Sequence, residues 1–304
     1  MNAILAAGDF DLTEEAPAKI NLALHVTGRR ADGYHLLDML VSFTRHGDRI
    51  GLRASEHDEF SLSGRFAPLL AADAEAGNNL VLKARDLLRQ AASIAGFDTP
   101  PVHIHLEKNL PIASGIGGGS ADGAAALRGL ARLWSLALPA GAIKAIALKL
   151  GADVPMCLVS RPLVARGIGE AIELLPDFPS FSMVLGNPLA GVSTPEVFRL
   201  LSRKDNPPLL FPSRMPQGRD EWIETIKSLR NDLEPPARAI CSEISALSGL
   251  IGSHHAIVTR MSGSGATCFG IFDTIEQAEA AAVLLHRQRP DWYFQATETI
   301  AGEA

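Results

Sequence analysis

The stretch Leu110-Pro-Ile-Ala-Ser-Gly-Ile-Gly-Gly-Gly-Ser-Ala-Asp-Gly-Ala-Ala-Ala-Leu-Arg-Gly-Leu130 decides how the chain is read. It follows a strand-like run, Val102 to Asn109, and ends in an alanine-rich segment that favours helix. Between these lie Gly115, Gly117, Gly118 and Gly119, then Ser120. Glycines at this density let backbone N–H groups come close to a ligand without obstruction by Cβ. The helix start adds unpaired N–H groups and the positive end of a dipole. Strand, glycine loop and helix in that order form a cradle for phosphate. A flexible linker is the plainer alternative, and Ser120 and Asp122 at the helix mouth weigh against it. Neither common phosphate motif fits: no lysine follows the glycines as in a P-loop, and Ser120 replaces the last glycine of a dinucleotide fingerprint.

Outward from this loop, 304 residues are enough for two domains with separate cores. A hydrophobic content of 47% with 20% charged residues is that of an ordinary globular protein. The net charge of −6 argues against a nucleic-acid surface as the main activity. No segment approaches the ~20 apolar residues of a membrane span. The start, MNAILAAGDFDL, lacks the basic opening of a signal peptide and reads as a loose extension. Cys157, Cys241 and Cys268 are far apart in apolar surroundings, so burial in a reducing cytoplasm is expected.

Ala16 to Thr27 reads as a strand, on which Lys19 and Asn21 share a face. Gly28 to His35 is turn chemistry centred on Asp32-Gly33. Leu36–Phe43, Asp48–Arg53 and Phe60–Ser63 read as short strands of a largely antiparallel N-terminal third, and Asn78 and Asn79 cap a helix reaching about Ala95. Ala140 to Leu150 is a further helix; Gly151-Ala-Asp-Val-Pro155 then turns into an apolar run, Met156 to Val159, read as a buried strand. Gly167 and Gly169 mark a change of architecture, and the domain boundary is expected near residue 160. Beyond it, Thr194 caps a helix with Pro195 at its first position. A proline-rich loop and two helices follow, then a strand, the loop Met261–Ala266, a strand, a helix and a last strand. That alternation predicts a ferredoxin-like α/β sandwich.

Phosphoryl transfer to an alcohol needs an aligned nucleophile, neutralised phosphates and often a base. Asp153 is the candidate base and Lys19 its candidate partner, since an ammonium keeps a nearby carboxylate ionised and stabilises a developing oxyanion. The residues alone leave the pairing open: loop aspartates mostly tie down their own turn, and a lone strand lysine is usually solvated.

The segment Pro111-x-x-x-Gly115-Ile-Gly-Gly-Gly-Ser120-Ala121 resembles the nucleotide loop of the GHMP kinases, a superfamily that includes galactokinase, homoserine kinase and mevalonate kinase. Further blocks resemble one branch of it: Pro17-Ala-Lys-Ile-Asn-Leu, Gly28-Arg-Arg-Ala-Asp-Gly-Tyr-His35, Gly151 to Pro155, Thr194 to Phe198, Asn231-Asp-Leu-Glu234 and Arg260 to Ala266. They occur in family order over most of the chain. The resemblance departs only mildly at the loop, where Ala113 and Ser114 stand where glycine is common and Ile116 replaces leucine. Backbone donors survive those changes.

The resemblance implies an α+β fold of two domains, residues 1–160 like domain 2 of ribosomal protein S5 and residues 161–304 ferredoxin-like. It implies ATP as phosphoryl donor with Mg²⁺, for which no carboxylate cluster names ligands. The implied substrate is 4-diphosphocytidyl-2-C-methyl-D-erythritol, phosphorylated on its 2-hydroxyl in the non-mevalonate route to isoprenoid precursors. Lys19 and Asp153 become the catalytic pair. Pro111, Ile112, Ala113, Ser114, Gly115, Ile116, Gly117, Gly118, Gly119, Ser120 and Ala121 hold the ATP phosphates. Asn21, Tyr34, His35, Thr194, Pro195 and Phe198 face the cytidyl substrate: Tyr34 and Phe198 suit stacking on a base, and His35 suits its polar edge. The plainer readings make Tyr34 a turn aromatic and Phe198 a buried helix residue. Ser262 to Ala266 reads equally as a ligand loop or a tight hairpin turn. Another GHMP substrate, or a catalytically silent binding protein of this fold, remains an alternative; Gly33-Tyr34-His35 discriminates against the first, and retention of Lys19 and Asp153 against the second. The oligomeric state is not legible.

Overall fold

The two opening strands are far longer than their turn signals suggest. In the computed structural model, which describes residues 10–73, 79–139, 141–211 and 214–303, β1 spans Leu12–Arg29 and β2 spans His35–Ala54. The short strands expected at Leu36–Phe43 and Asp48–Arg53 are therefore one, because Thr44 to Gly47 stays extended rather than turning. β1 is buried on both faces from Ala16 to Val26, which places Lys19 and Asn21 in the interior. Lys19 is 4% exposed, so the solvated reading of this lysine fails.

The chain forms two compact units, each discontinuous in sequence. The first comprises Met1–Ala18, Gly47–Ile112 and Gly117–Val159. After β2 it contains β3 (Glu59–Ser63), α1 (Ala67–Asp73), α2 (Leu80–Ile94) and β4 (Val102–Glu107). α3 (Gly118–Leu133), α4 (Ala142–Leu150) and α5 (Val154–Val159) complete it. Asn79 caps α2 by accepting the Val81 N–H at 2.9 Å. Arg49–Ala54 pairs antiparallel with β4, but β3 pairs parallel with it, against the antiparallel expectation. The two intervening helices carry the chain back so that β4 can run in the same direction. α3 packs on α2 and α5, and its alanine-rich face lets the helices approach closely.

Val154–Val159 forms a helix, not the expected strand. Pro155 lies in its first turn, where a missing N–H costs nothing, and Asp153 O accepts the Cys157 N–H at 3.1 Å. A short apolar run does not itself distinguish a buried strand from a buried helix. The readings of residues 1–9, of Asn78 and of Ala140 lie outside the described residues.

The second unit comprises Lys19–His46, Ala113–Ile116 and Ser160–Ala304. β5 (Leu163–Gly167) pairs antiparallel with Leu37–Val41 of β2, and with β6 (Ala171–Leu174) as a hairpin. β7 (Ser182–Asn187) leads to α6 (Thr194–Leu200), α7 (Gly218–Ser228), α8 (Glu234–Ile240) and α9 (Glu243–Gly252). β8 (Val258–Met261), β9 (Cys268–Phe272), α10 (Ile275–Gln288) and β10 (Tyr293–Glu298) follow. The strand order β10-β7-β9-β8, all antiparallel, is that of a ferredoxin-like sheet. Ser193 rather than Thr194 occupies the cap position of α6, with Pro195 in the first turn. All three cysteines are buried and none is in a disulfide, as expected from their surroundings. Among the described residues no helix is long and apolar enough to cross a membrane.

Candidate active site

From Gly117 onward the chain lies in the first unit and opens α3. Gly117 takes the cap position in a left-handed conformation, φ 65°, which a Cβ would strain. The helix has no side-chain cap, so its first N–H groups await another acceptor. Gly119 is exposed, and a Cβ there would meet nothing closer than Leu80 Cδ1 at 3.8 Å. A Cβ on buried Gly118 would lie 3.1 Å from Lys108 Nζ.

That lysine belongs to a cluster that the sequence did not reveal. Lys108 Nζ donates to Asp48 Oδ2 at 2.5 Å and to Asp122 Oδ2 at 2.6 Å, with all three side chains at most 4% exposed. Asp48 Oδ1 accepts the backbone N–H groups of Asn109 at 2.5 Å and Leu110 at 2.8 Å, which pins the exit of β4. Burial would push the Lys108 ammonium down, but Asp122 and Asp48 outweigh it and hold it up. Burial, and next the Asp48 charge, push Asp122 well above the usual carboxylate range. A raised Asp122 lessens the negative charge that two carboxylates would otherwise leave around one ammonium. The only hint in sequence was a lysine next to the loop; the pairing requires residues 60 and 14 positions apart to meet.

Lys19 and Asp153 belong to different units, and each is placed by its own surroundings. Lys19 lies within the buried run of β1, and its backbone N–H donates to Ile116 O at 2.9 Å. Asp153 is half-buried in the turn that opens α5, between Gly151 and Pro155.

The residues expected to face a cytidyl group all lie in the second unit, where one pair of them meets. The His35 and Phe198 rings stack, with centroids 4.6 Å apart and planes 19° from parallel. Tyr34, next to His35 in sequence, is 59% exposed. Phe198 is half-exposed, so it is not the buried helix residue of the plainer reading. His35 Nε2 and Asn21 Oδ1 are buried atoms without a hydrogen-bond partner, whereas buried polar atoms are normally paired. Asn21 Nδ2 turns to the Met39 sulfur at 3.3 Å, a weak acceptor. Burial, with Arg29 and Lys204 adding to it, lowers the His35 pKa, so the ring is neutral near pH 7 and offers one donor and one acceptor. Thr194 and Pro195 are exposed at the start of α6, and the Thr194 hydroxyl pairs with that of Ser264 at 2.7 Å. The 261–266 loop is held from below: Asn231 Nδ2 donates to Met261 O and Gly263 O, both at 2.8 Å. The buried Arg260, pushed down to about 10 by burial, donates to Leu22 O and Leu229 O, each at 2.6 Å.

Comparison with known proteins agrees with this arrangement. The profile of the GHMP kinases N terminal domain matches residues 79–161, and that of the GHMP kinases C terminal domain matches residues 214–288. A 4-diphosphocytidyl-2-C-methyl-D-erythritol kinase of Rhizobium johnstonii is 64% identical over 297 residues, covering 98% of this chain and 96% of its own. One of Rhizobium leguminosarum bv. trifolii is 62% identical over 293 residues, covering 96% of each. The crystal structure of a 4-(cytidine 5'-diphospho)-2C-methyl-D-erythritol kinase superposes with a TM-score of 0.77 at 31% identity, over 96% of this chain and 100% of that one. A glycine loop running into an uncapped helix, a ferredoxin-like second unit and identities above 60% along nearly the whole length agree: the chain belongs to the GHMP kinases, in their 4-diphosphocytidyl-2-C-methyl-D-erythritol kinase branch.

Proposed function

We propose that this chain transfers the γ-phosphoryl group of ATP to the 2-hydroxyl of 4-diphosphocytidyl-2-C-methyl-D-erythritol, giving the 2-phosphate and ADP in the non-mevalonate route to isoprenoid precursors. The observation that carries the substrate assignment is the His35–Phe198 stack with its unpartnered Nε2. A flat, half-open ring pair with an unsatisfied polar edge suits a base that stacks and hydrogen-bonds at once. Tyr34 supplies a second face, while Asn21, Thr194 and Pro195 line the rest of the substrate's path.

Residues 111–121 receive the ATP phosphates on backbone N–H groups, and the open side of Gly119 leaves them room. Among the described residues no group of three or more His, Cys, Asp or Glu side chains is placed to hold a metal ion. Mg²⁺ bound with the nucleotide would neutralise the charge of its phosphates. In the transfer step the 2-hydroxyl oxygen forms its bond to the γ-phosphorus as the bond to the ADP oxygen breaks. The hydroxyl proton passes to the Asp153 carboxylate, and Lys19 steadies the transferring group. The division into a 1–160 domain with the phosphate loop and a 161–304 domain contributing to the substrate site belongs to the same proposal. The three buried thiols, none of them in a disulfide, favour a reducing cytoplasm as its compartment.

A panel of alcohols offered with ATP, read by phosphorus NMR of the products, tests this function. A phosphomonoester on the cytidyl substrate and none on homoserine or mevalonate is the expected result. Preference for either smaller alcohol would overturn the substrate assignment.

A further inference from the structure

The carbonyl groups of Ser114, Gly115 and Ile116 all accept hydrogen bonds within the second unit. Their donors are the Thr267 N–H at 3.1 Å, the Ser262 hydroxyl at 3.1 Å and the Lys19 N–H at 2.9 Å. Ser262 Oγ also accepts the Asn21 N–H at 3.0 Å. This fully buried hydroxyl thus accepts a hydrogen bond from β1 and donates one to the glycine loop. The two glycine loops also mesh backbone to backbone. A Cβ on Gly115 would lie 2.6 Å from Ser262 O and 2.7 Å from Gly265 O, and one on Gly263 would lie 2.5 Å from Gly115 O. The glycine at 263 is therefore explained by close approach to Gly115, beyond the needs of its own turn.

A planar trans peptide directs its C=O and N–H to opposite sides. Fixing the carbonyls of residues 114–116 inward turns the N–H groups of Gly115, Ile116 and Gly117 outward, where an anion meets donors alone. A flip of the Gly115–Ile116 peptide would put a carbonyl oxygen among those donors, and glycine resists such a flip least of all residues. Of the three inward hydrogen bonds, only that from Ser262 comes from a side chain.

We propose that Ser262 is a positioning residue for the nucleotide: its hydroxyl locks the Gly115–Ile116 peptide in the anion-receiving orientation and registers the loop against the strand that carries Lys19 and Asn21. The 262–266 loop then acts as a mould for the phosphate loop. The inference rests on the reading of residues 111–121 as that loop.

The test measures binding of a non-hydrolysable ATP analogue and both KM values for wild type, Ser262→Ala, Ser262→Cys and Ser262→Thr. Alanine and cysteine should weaken the analogue and raise KM for ATP by about tenfold, the scale of one lost buried hydrogen bond. KM for the cytidyl alcohol should rise less than KM for ATP: the variants also lose the hydrogen bond from the Asn21 N–H, but β1 stays held by its pairing with β2. Threonine, which keeps the hydroxyl, should restore ATP affinity. Cysteine is close in size to serine and reports on the hydroxyl if the alanine variant does not fold. Wild-type analogue binding in both the alanine and cysteine variants overturns the inference, as does an equal rise in both KM values. A wild-type protein that binds no analogue overturns the nucleotide reading itself, a distinct result.

Discussion

The phosphate loop and the aromatic pair differ in how much of their hydrogen bonding is finished before a ligand arrives. Every carbonyl from Ser114 to Ile116 is accepted for, and Gly115 rests against the 262–265 backbone without room for a methyl group. Among the residues read as facing the cytidyl substrate, by contrast, His35 Nε2 and Asn21 Oδ1 remain buried and unpartnered, and Tyr34 is largely exposed. Phosphate recognition requires the same few donors in one orientation, so rigidity there is favourable in advance. Recognition of a base is completed by the ligand, which supplies the partners that the unsatisfied atoms lack and so gains specificity from them. One region is a mould, the other half of a contact.

The largest expected effect tests whether chemistry lies apart from both regions. Asp153→Asn keeps size and much hydrogen bonding but accepts no proton. Turnover should fall by ~10²–10⁴-fold with both ligands still bound. Lys19→Ala should also lose turnover, and the double variant should lose far less than the product of the two, because the pair acts as a unit. A folded Asp153→Asn enzyme with near wild-type turnover would refute the base assignment, leaving Asp153 to orient the hydroxyl in a loose transition state.

The next tests the mould. Valine at Gly118 would press on Lys108 and disturb the buried cluster as well as the loop, so Gly119 is the cleaner position. Gly119→Val should cost ~2–3 kcal/mol of nucleotide affinity by obstructing the phosphates, with thermal stability and cytidyl binding little changed. Unaltered analogue binding by this variant would remove Gly119 from the cradle.

Tyr34→Ala probes the unfinished side. It should cost ~1–3 kcal/mol in affinity for the cytidyl substrate, the scale of one aromatic–base stack, and leave ATP affinity unchanged. Calorimetric titration with each ligand separates these outcomes; equal losses for both would make Tyr34 a structural residue.

The smallest effect is a pH dependence. His35 has its pKa lowered by burial and by Arg29 and Lys204, whereas an unperturbed histidine titrates near about 6.5. Between the folded and unfolded values the unfolded chain binds more protons, so the contribution of His35 to stability is complete above about 6.5 and declines as pH falls below it. Protonation also removes the ring's acceptor lone pair. Affinity for the cytidyl substrate should be level from pH 8 to about 6.5 and weaken only below, by about threefold to tenfold, with nucleotide affinity unaffected. Should His35→Gln show the same profile, the titration belongs to another group.

Local chemistry made the glycine loop, the Asn79 cap, the Pro195 helix start and the closing β-α-β alternation readable, because each depends on contacts a few residues apart. It also supported the expectation that Tyr34, His35 and Phe198 would serve one purpose, of which the structure shows the His35–Phe198 contact. Tertiary structure decided the rest. Thr44 to Gly47 stays extended within a single strand, and Val154–Val159 becomes helix, since burial of an apolar run is compatible with either period until its neighbours are in place. Lys19 is interior because β1 is covered on both faces, which no pattern within the strand announced. Asp48, Lys108 and Asp122 form an ion cluster, and Ser262 reaches Gly115, only because the fold brings residues 14 to 147 positions apart within hydrogen-bonding distance. Hydrogen bonds and ion pairs act over a few ångströms, and the sequence records order along the chain, not distance in space.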